Sequence, residues 1–458
     1  MPHYEPLLEF EFRRRGALSA AEIAAALKIS QPTASRLLSR VGRQIVRLGR
    51  GKLTSYAMAR NIPPLGNAWP LYEIDAAGKP HRVGLLNALQ PKLWALQQEN
   101  PWETLRGNAF PLGLYPDFPW FLDDLRPQGF LGRAFAKSYG PALGLSPDPR
   151  LWNADQVAAS LIRHGHDLPG SFVIGEAMLA IAQERMFDDR GMVPARSRAM
   201  HYPALADAAL ANEWPGSSAG GEQPKFTARI KDDNGSVRHV IVKFSGRLDR
   251  PEGRRWADLL IAEHLAATLL NQNGIPAACT KLVESDGRFF LESERFDRIE
   301  SIGRCGLVSL LALDAAYFCE PYTPWTAAAG RLREEGWITE EDAARLTLLW
   351  WFGELIANAD MHFGNVSLFL TPHRPLALAP VYDMLPMAYR PGSEGQLPEK
   401  PFSPPPPPPE AMPFWTAAVA LAEQFWARLS QEPRVSAEFK SISARNSEVL
   451  VAYRRRFT

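Results

Sequence analysis

Asn358-Ala-Asp-Met-His-Phe-Gly-Asn365-Val-Ser-Leu-Phe-Leu370 carries a carboxylate, Asp360, and a carboxamide, Asn365, with four residues between them. Residues 366–370 read as a strand. After a turn at 371–375, a second apolar run ends in Val381-Tyr-Asp383-Met. Phosphoryl transfer to a hydroxyl needs a base at that hydroxyl and hard oxygen ligands for the Mg²⁺ that bridges the nucleotide phosphates. Asp360 suits the first task. Asn365 and Asp383 suit the second, because a β-hairpin between them brings the later Asp back beside the earlier loop.

Working upstream, such a site also needs a strand lysine for the α/β-phosphates, paired with a helix glutamate. Arg238-His-Val-Ile-Val-Lys243-Phe supplies the strand, and the expected helix 255–271 contains Glu263, the candidate partner. The alternative for Glu263 is an ordinary surface carboxylate. Pro215-Gly-Ser-Ser-Ala-Gly-Gly-Glu-Gln-Pro-Lys225 is a Gly/Ser-rich loop whose backbone N–H groups can cradle phosphates, with Lys225 adding a point charge. It is not a Walker A loop, since the Gly-Lys-Ser/Thr order is missing, and alone it reads as a surface loop. A strand at 226–231 and a turn at 232–235 lead on to the lysine strand, so the loop is expected within a hairpin covering the site. Strands at 278–284 and 288–292 then reach Glu292-Ser-Glu-Arg-Phe-Asp-Arg298, a hinge whose backbone can meet an adenine edge. Helices fill 304–359, most clearly 325–335 and 340–359, and terminal helices are expected at 417–429 and 436–456. The six prolines 404–409 read as a polyproline II spacer, or as an exposed ligand for an aromatic groove.

The whole chain has 458 residues and a net charge of +1, with 46% hydrophobic and 22% charged residues. That length calls for two or three domains, and that composition for a soluble protein. The charge is uneven. Residues 1–60 hold eleven Lys/Arg against four Asp/Glu, and a basic head on an acidic body suggests nucleic acid as the head's partner. Its pattern agrees. A helix over 4–15 precedes Leu18-Ser-Ala-Ala-Glu-Ile-Ala-Ala-Ala-Leu27, where Ser19 and Glu22 form a capping box. Ser30 caps a second helix, 31–41, with Pro32 in its first turn. Ala34, Leu37, Leu38 and Val41 face inward, leaving Gln31, Thr33, Ser35, Arg36 and Arg40 for a DNA major groove. Two strands, 44–48 and 53–58, flank a Gly-Arg-Gly-Lys tip whose Arg50 and Lys52 can touch phosphate. The alternative is a helical hairpin used only for dimerisation. A Pro/Gly linker is expected at 61–70. Residues 71–200 offer two short strands around a turn at 77–80, helices at 152–163 and 176–185, and no catalytic constellation. His164-Gly-His166 reads as structural, lacking a third metal ligand nearby.

Cys279, Cys305 and Cys319 are few and widely spaced, which fits a reducing cytosol rather than a disulfide framework. The N-terminus shows no signal-peptide pattern, and no apolar run has membrane-spanning length. A cytoplasmic location without membrane contact is expected.

With these residues assembled, the chain resembles the HipA family of Ser/Thr kinase toxins from bacterial toxin–antitoxin systems. The resemblance rests on Ser218-Ala-Gly-Gly-Glu-Gln-Pro-Lys225, Val240-Ile-Val-Lys243, Glu294-Arg-Phe-Asp-Arg298, Asp360-Met-His-Phe-Gly-Asn365 and Tyr382-Asp383, in the family's order. Phe121-Leu-Asp-Asp-Leu-Arg-Pro-Gln-Gly129 is similar to a segment of the family's N-subdomain. The fused winged helix makes the chain most similar to the single-chain YjjJ (HipH) branch. In other HipA systems a separate antitoxin, HipB, carries the helix-turn-helix.

The resemblance implies an α+β fold: a winged helix-turn-helix at 1–62, a HipA-like N-subdomain at 71–200, a kinase N-lobe at 201–300 and a helical C-lobe at 301–458. It implies ATP and Mg²⁺ as cofactors, Asp360 as catalytic base, His362 in support of its loop, and Asn365 and Asp383 as metal ligands. ATP would be bound by Ser218, Gly220, Gly221, Gln223, Lys225, Lys243, Glu294, Arg295 and Phe296. Ser218 stands where family members autophosphorylate and switch themselves off. The implied substrate is a protein Ser/Thr hydroxyl, and the family's best-known targets are aminoacyl-tRNA synthetases. Two departures from the family stand out. Gly364 replaces a frequent lysine, and Glu222 and Pro224 lie in the phosphate loop. Homodimerisation on DNA is expected of the head. Two other readings stay open: a transcription regulator whose kinase-like body only senses a nucleotide, and a metal-dependent nuclease built on Asp360, His362 and Asp383.

Overall fold

The computed structural model describes residues 4–100, 102–211, 223–398 and 400–457. Two serines start the head. Ser19 Oγ accepts the Glu22 N–H while the Glu22 carboxylate accepts the Ser19 N–H at 2.8 Å, which opens the helix Ala20–Leu27. That helix ends at Lys28 in the left-handed conformation, φ 53°. Ser30 then caps Gln31–Val41 through the Thr33 N–H. Ala34, Leu37 and Leu38 pack with Ile23 and with Leu8 and Phe12 of the helix Tyr4–Arg15. The wing pairs Ile45–Leu48 antiparallel with Ser55–Met58. Its second strand starts later than expected, because Gly51–Leu53 form a 3-10 turn.

The stretch 61–70 is not a spacer. The strand Ala68–Ile74 begins inside it, with Trp69 buried. The Ile62 N–H donates to the Gly66 carbonyl at 2.7 Å, closing the prolines into a tight turn. The wing then lies on the body: Leu48 and Ala57 pack with Leu89 and Ala95, and Arg60 pairs with Asp155.

That body sheet has five strands, in the order Leu114–Tyr115, Leu93–Gln98, Pro80–Leu89, Ala68–Ile74, Phe172–Ile174. Leu93–Gln98 is not legible as a strand, because Leu-Trp-Ala-Leu-Gln-Gln has neither β-branched residues nor clean alternation, so tertiary packing decides it. The helices Gly129–Tyr139, Ala154–His164 and Glu176–Met186 accompany the sheet. His164 stacks on Tyr139 at 4.1 Å, in line with a structural role.

The next sheet orders Thr280–Ser285, Arg288–Glu294, Val237–Phe244, Lys225–Lys231, Val193–Pro194. Phe226, Ile230, Val240, Val242, Phe244 and Phe290 point to one face, under Tyr202 and Ala206 of the helix Arg198–Ala211. The alternate residues Phe289 and Leu291 meet the buried helix Pro251–Gln272 on the other face. The expected strand and turn form a hairpin with Val237–Phe244, while residues 215–222 of the Gly/Ser-rich loop lie outside the described residues. The loop's described neighbours are the helix Arg198–Ala211 before it and the strand Lys225–Lys231 after it, and the hairpin turn lies at 232–235.

The helices Leu310–Tyr317, Trp325–Glu334, Glu340–Leu355, Met412–Gln431 and Ala437–Phe457 build the last unit around buried Trp325, Trp415, Phe425 and Trp426. A small sheet, Leu307–Ser309, Ser367–Phe369 and Ala377–Leu378, carries the loop 358–365. The proline run lies against this unit, with Pro404 buried and Phe402 5.9 Å from Trp426. Among the described residues no helix is long and apolar enough to cross a membrane.

Candidate active site

Lys243 sits in a strand whose side chains alternate between the aromatic face and the face covered by Pro251–Gln272. Val240, Val242 and Phe244 take the first face, so Lys243 must take the second. There Nζ donates to both Glu263 oxygens, at 2.6 and 2.8 Å, and to Asp383 Oδ1 at 2.5 Å. Lys243 and Glu263 are only 6% and 4% exposed. A buried cation persists only when paired this way. Burial works against the charged lysine, but Asp383 and Glu263 outweigh it and hold the ammonium above its usual range. Burial likewise would raise the Asp383 carboxyl, and Lys243, then Lys225, keep it below the usual carboxylate range. For Glu263 burial prevails and the carboxyl is raised.

The second half of the site hangs from the helix Glu340–Leu355. Ala357 turns the chain with φ 58°, and Asn358 then holds two loops together. Its Oδ1 accepts the Asp360 N–H at 3.1 Å and its Nδ2 reaches the Asp383 carbonyl at 3.4 Å. Asn365 Nδ2 donates to the Asp360 carbonyl at 2.7 Å. Tyr382 Oη donates to the Gly364 carbonyl at 2.9 Å and lies 2.8 Å from Ser367 Oγ. Asp383 itself has φ 56°, a left-handed conformation that a non-glycine residue holds only under constraint. Asp360, Asn365 and Asp383 are therefore joined by one hydrogen-bonded chain, each half-buried. His362 is exposed, and its Nδ1 accepts the Gly364 N–H at 3.0 Å, capping the turn Phe363–Asn365. This explains Gly364: a Cβ there would stand 2.9 Å from the His362 ring, so a lysine would displace the cap.

The structure does not gather the other expected site residues equally. Gln223 Nε2 reaches the Phe244 carbonyl at 3.5 Å, and Lys225 lies opposite Lys243 in register. Ser218, Gly220, Gly221 and Glu222 fall outside the described residues. Of the hinge, Phe296 packs 5.8 Å from Tyr382 and 6.1 Å from Phe369. Glu294 is ion-paired with Arg238 at 3.2 Å, and its N–H is taken by the Cys279 carbonyl at 2.8 Å. Arg295 turns away from Lys243 altogether. Its guanidinium bonds Asp167 at 3.2 Å and Asp297 at 2.9 Å, beside Arg298. In the head, Gln31, Ser35, Arg36, Arg50 and Lys52 are exposed. Thr33 Oγ1 lies 2.9 Å from Ser30 Oγ, and Arg40 pairs with Glu5 at 2.8 Å.

Two contributions are not anticipated by the sequence reading. Asn358 had a signal, because Asn and Asp two residues apart favour an Asx turn. The Asp167–Arg295–Asp297–Arg298 cluster had none, since Asp167 lies more than a hundred residues from the others.

Residues 65–183 match the family described as YjjJ-like toxin, middle domain, and residues 217–440 match the HipA-like C-terminal domain. Toxin YjjJ of Escherichia coli (strain K12) is 38% identical over 432 residues, 94% of each chain. HipA of Shewanella oneidensis MR-1, solved in a complex with HipB and its operator DNA, superposes with a TM-score of 0.54 at 16% identity, covering 85% of this chain and 97% of that one. That likeness shows the two-lobed, kinase-like fold, while the sequence identity to the toxin fixes the kinship. The chain belongs to the HipA-like toxin family, on its YjjJ-like branch.

Proposed function

We propose that this protein is an ATP- and Mg²⁺-dependent protein Ser/Thr kinase that phosphorylates its own Ser218 and a hydroxyl on a target protein, an aminoacyl-tRNA synthetase being one candidate. The observation that carries this reading is the buried Lys243–Glu263 pair reaching Asp383, hydrogen-bonded onward through Asn358 to Asp360. The donor set fits the cofactors. Asp383 and Asn365 are hard oxygen ligands, half-exposed, and Mg²⁺ takes one or two such ligands with water and phosphate oxygens completing its shell. ATP supplies the transferable phosphoryl group, and Mg²⁺ the charge that neutralises its oxygens. Asp360 accepts the proton of the substrate hydroxyl, its backbone pinned from both sides by Asn358 and Asn365. Lys243 holds α/β-phosphate oxygens, and Glu263 keeps the ammonium aimed at them. His362 keeps the turn Phe363–Asn365 closed so that Asn365 stays over the metal position.

Incubation with Mg-ATP followed by mass spectrometry tests this. Wild type gains phosphate, part of it at Ser218, and Asp360→Ala loses about 10²–10⁴-fold in rate, the usual contribution of a general base. Wild-type protein that melts cooperatively yet stays unmodified would sink the proposal. The exposed polar face of Gln31–Val41 supports a further part of the same reading, in which the head binds the protein's own operator as a dimer for autoregulation.

A further inference from the structure

A cavity of about 640 Å³ lies where the body sheet's last helix meets the N-lobe. Its walls are the end of Glu176–Met186 with the turn after it, the outer parts of Lys225–Lys231 and Val237–Phe244, and residues 295–304. Arg185, Arg190, Arg229, Arg295, Arg298 and Arg304 line it, against the carboxylates of Asp167, Glu184 and Asp188. Those carboxylates are already committed. Asp188 and Glu184 hold Arg190 at 2.9 and 3.8 Å, and Asp167 holds Arg295 and Arg298 at 3.2 and 2.8 Å.

Three guanidiniums make no ion pair among the described residues, although Asp167 acts on Arg304, and Asp188 on Arg229, at longer range. Arg229 donates only to the carbonyls of Arg185 and Arg190, at 2.7 and 2.9 Å. Arg185 is exposed at the mouth. Arg304 is 6% exposed, with Nη2 on the His166 carbonyl at 2.8 Å and Nη1 buried without an acceptor. Burial first, then the neighbouring Arg298, pushes Arg304 down to about 9. Burial keeps His166 and His239 below the usual imidazole range, so neither adds positive charge to the wall at neutral pH. The wall is short of anions, and guanidinium forks match a phosphate's oxygens.

We propose that this cavity is a second anion site, taking a small phosphate-bearing molecule on Arg185, Arg229 and Arg304. It is separate from the Lys243 cleft: neither Lys243 nor Asp383 lines it, and Arg229 lies four residues along the strand from Lys225, about 13 Å at the usual rise. Its volume exceeds that of a bare phosphate, and Ile181, Val240 and Ile302 on the wall leave room for an organic part. An occupant would tie the helix Glu176–Met186, through Arg185, to the strand Lys225–Lys231, through Arg229, and to Arg304.

The test is titration calorimetry of inorganic diphosphate into the full-length protein at low salt. Wild type and Lys243→Met bind it equally, while Arg185→Glu and Arg304→Gln weaken binding at least tenfold. Arg185 is exposed, so its variant decides the matter even if Arg304→Gln melts early. No binding to wild type, unchanged binding in Arg185→Glu, or loss of binding in Lys243→Met overturns the proposal. The last result would assign diphosphate to the Lys243 cleft.

Discussion

Lys243 shows how much one residue decides. Its ammonium is the counter-charge for two carboxylates: burial raises both, and only at Asp383 do Lys243 and then Lys225 outweigh it. Lys243→Met would leave Glu263 buried without a cation, and its folded-state pKa would climb further above its unfolded value. A carboxyl raised in this way contributes stability below its unfolded pKa and loses it as pH rises through the folded one. The variant should therefore lose more stability than wild type as pH rises between about 5 and 7. Urea melts of both proteins at the two pH values measure this. A variant with a flat profile would mean that Glu263 has found another partner.

At the level of elements, caps and wing carry separable jobs. Ser30→Ala removes the oxygen that takes the Thr33 N–H, so the head should lose about 1 kcal/mol, seen in its melting transition. Arg50 and Lys52, exposed at the wing tip, should matter to DNA affinity and not to folding. Replacing both by Ala should flatten the plot of log affinity against log salt by about one unit for each phosphate that is no longer neutralised. An unchanged slope would take the wing off the DNA. The loop 358–365 follows the same logic. Asn358 reaches both Asp360 and Asp383, so Asn358→Ala should impair phosphate transfer although the residue touches no substrate.

Across the whole molecule, two buried junctions join the body sheet's unit to the kinase-like lobes. Asp124 accepts both the N–H and the hydroxyl of Ser309 at 2.6 Å. Asp297 takes Arg295, Arg298 and the Gly170 N–H, the last at 2.8 Å. Burial opposes ionisation of Asp297, yet Arg295 and Arg298 hold it well below the usual carboxylate range, and Asp167 likewise. Carboxyls depressed in this way stabilise the fold above their unfolded pKa of about 3.9, and that contribution disappears as pH falls below it. Asp297→Asn should cost about 3–5 kcal/mol at pH 7, because it leaves buried guanidiniums short of charge. Chemical denaturation gives the number, and a loss below about 1 kcal/mol would mean that Asp167 alone suffices.

The sequence by itself determined the local features. Ser19, Glu22 and Ser30 cap where their spacing says they should, because capping is settled within four residues. Lys243 falls on the helix-covered face because strand side chains alternate, and the order Lys243, Glu263, Asp360, Asn365, Asp383 already ruled out most arrangements other than a kinase-like one. Tertiary structure alone decided the rest. The stretch 61–70 ends in a sheet because Trp69 packs in the main core, 6.1 Å from Trp94. Leu93–Gln98 is a strand because its neighbours are strands. Arg295 left the expected nucleotide side for Asp167, a residue 128 positions earlier in the chain, and no local pattern can report a charge that arrives from so far away.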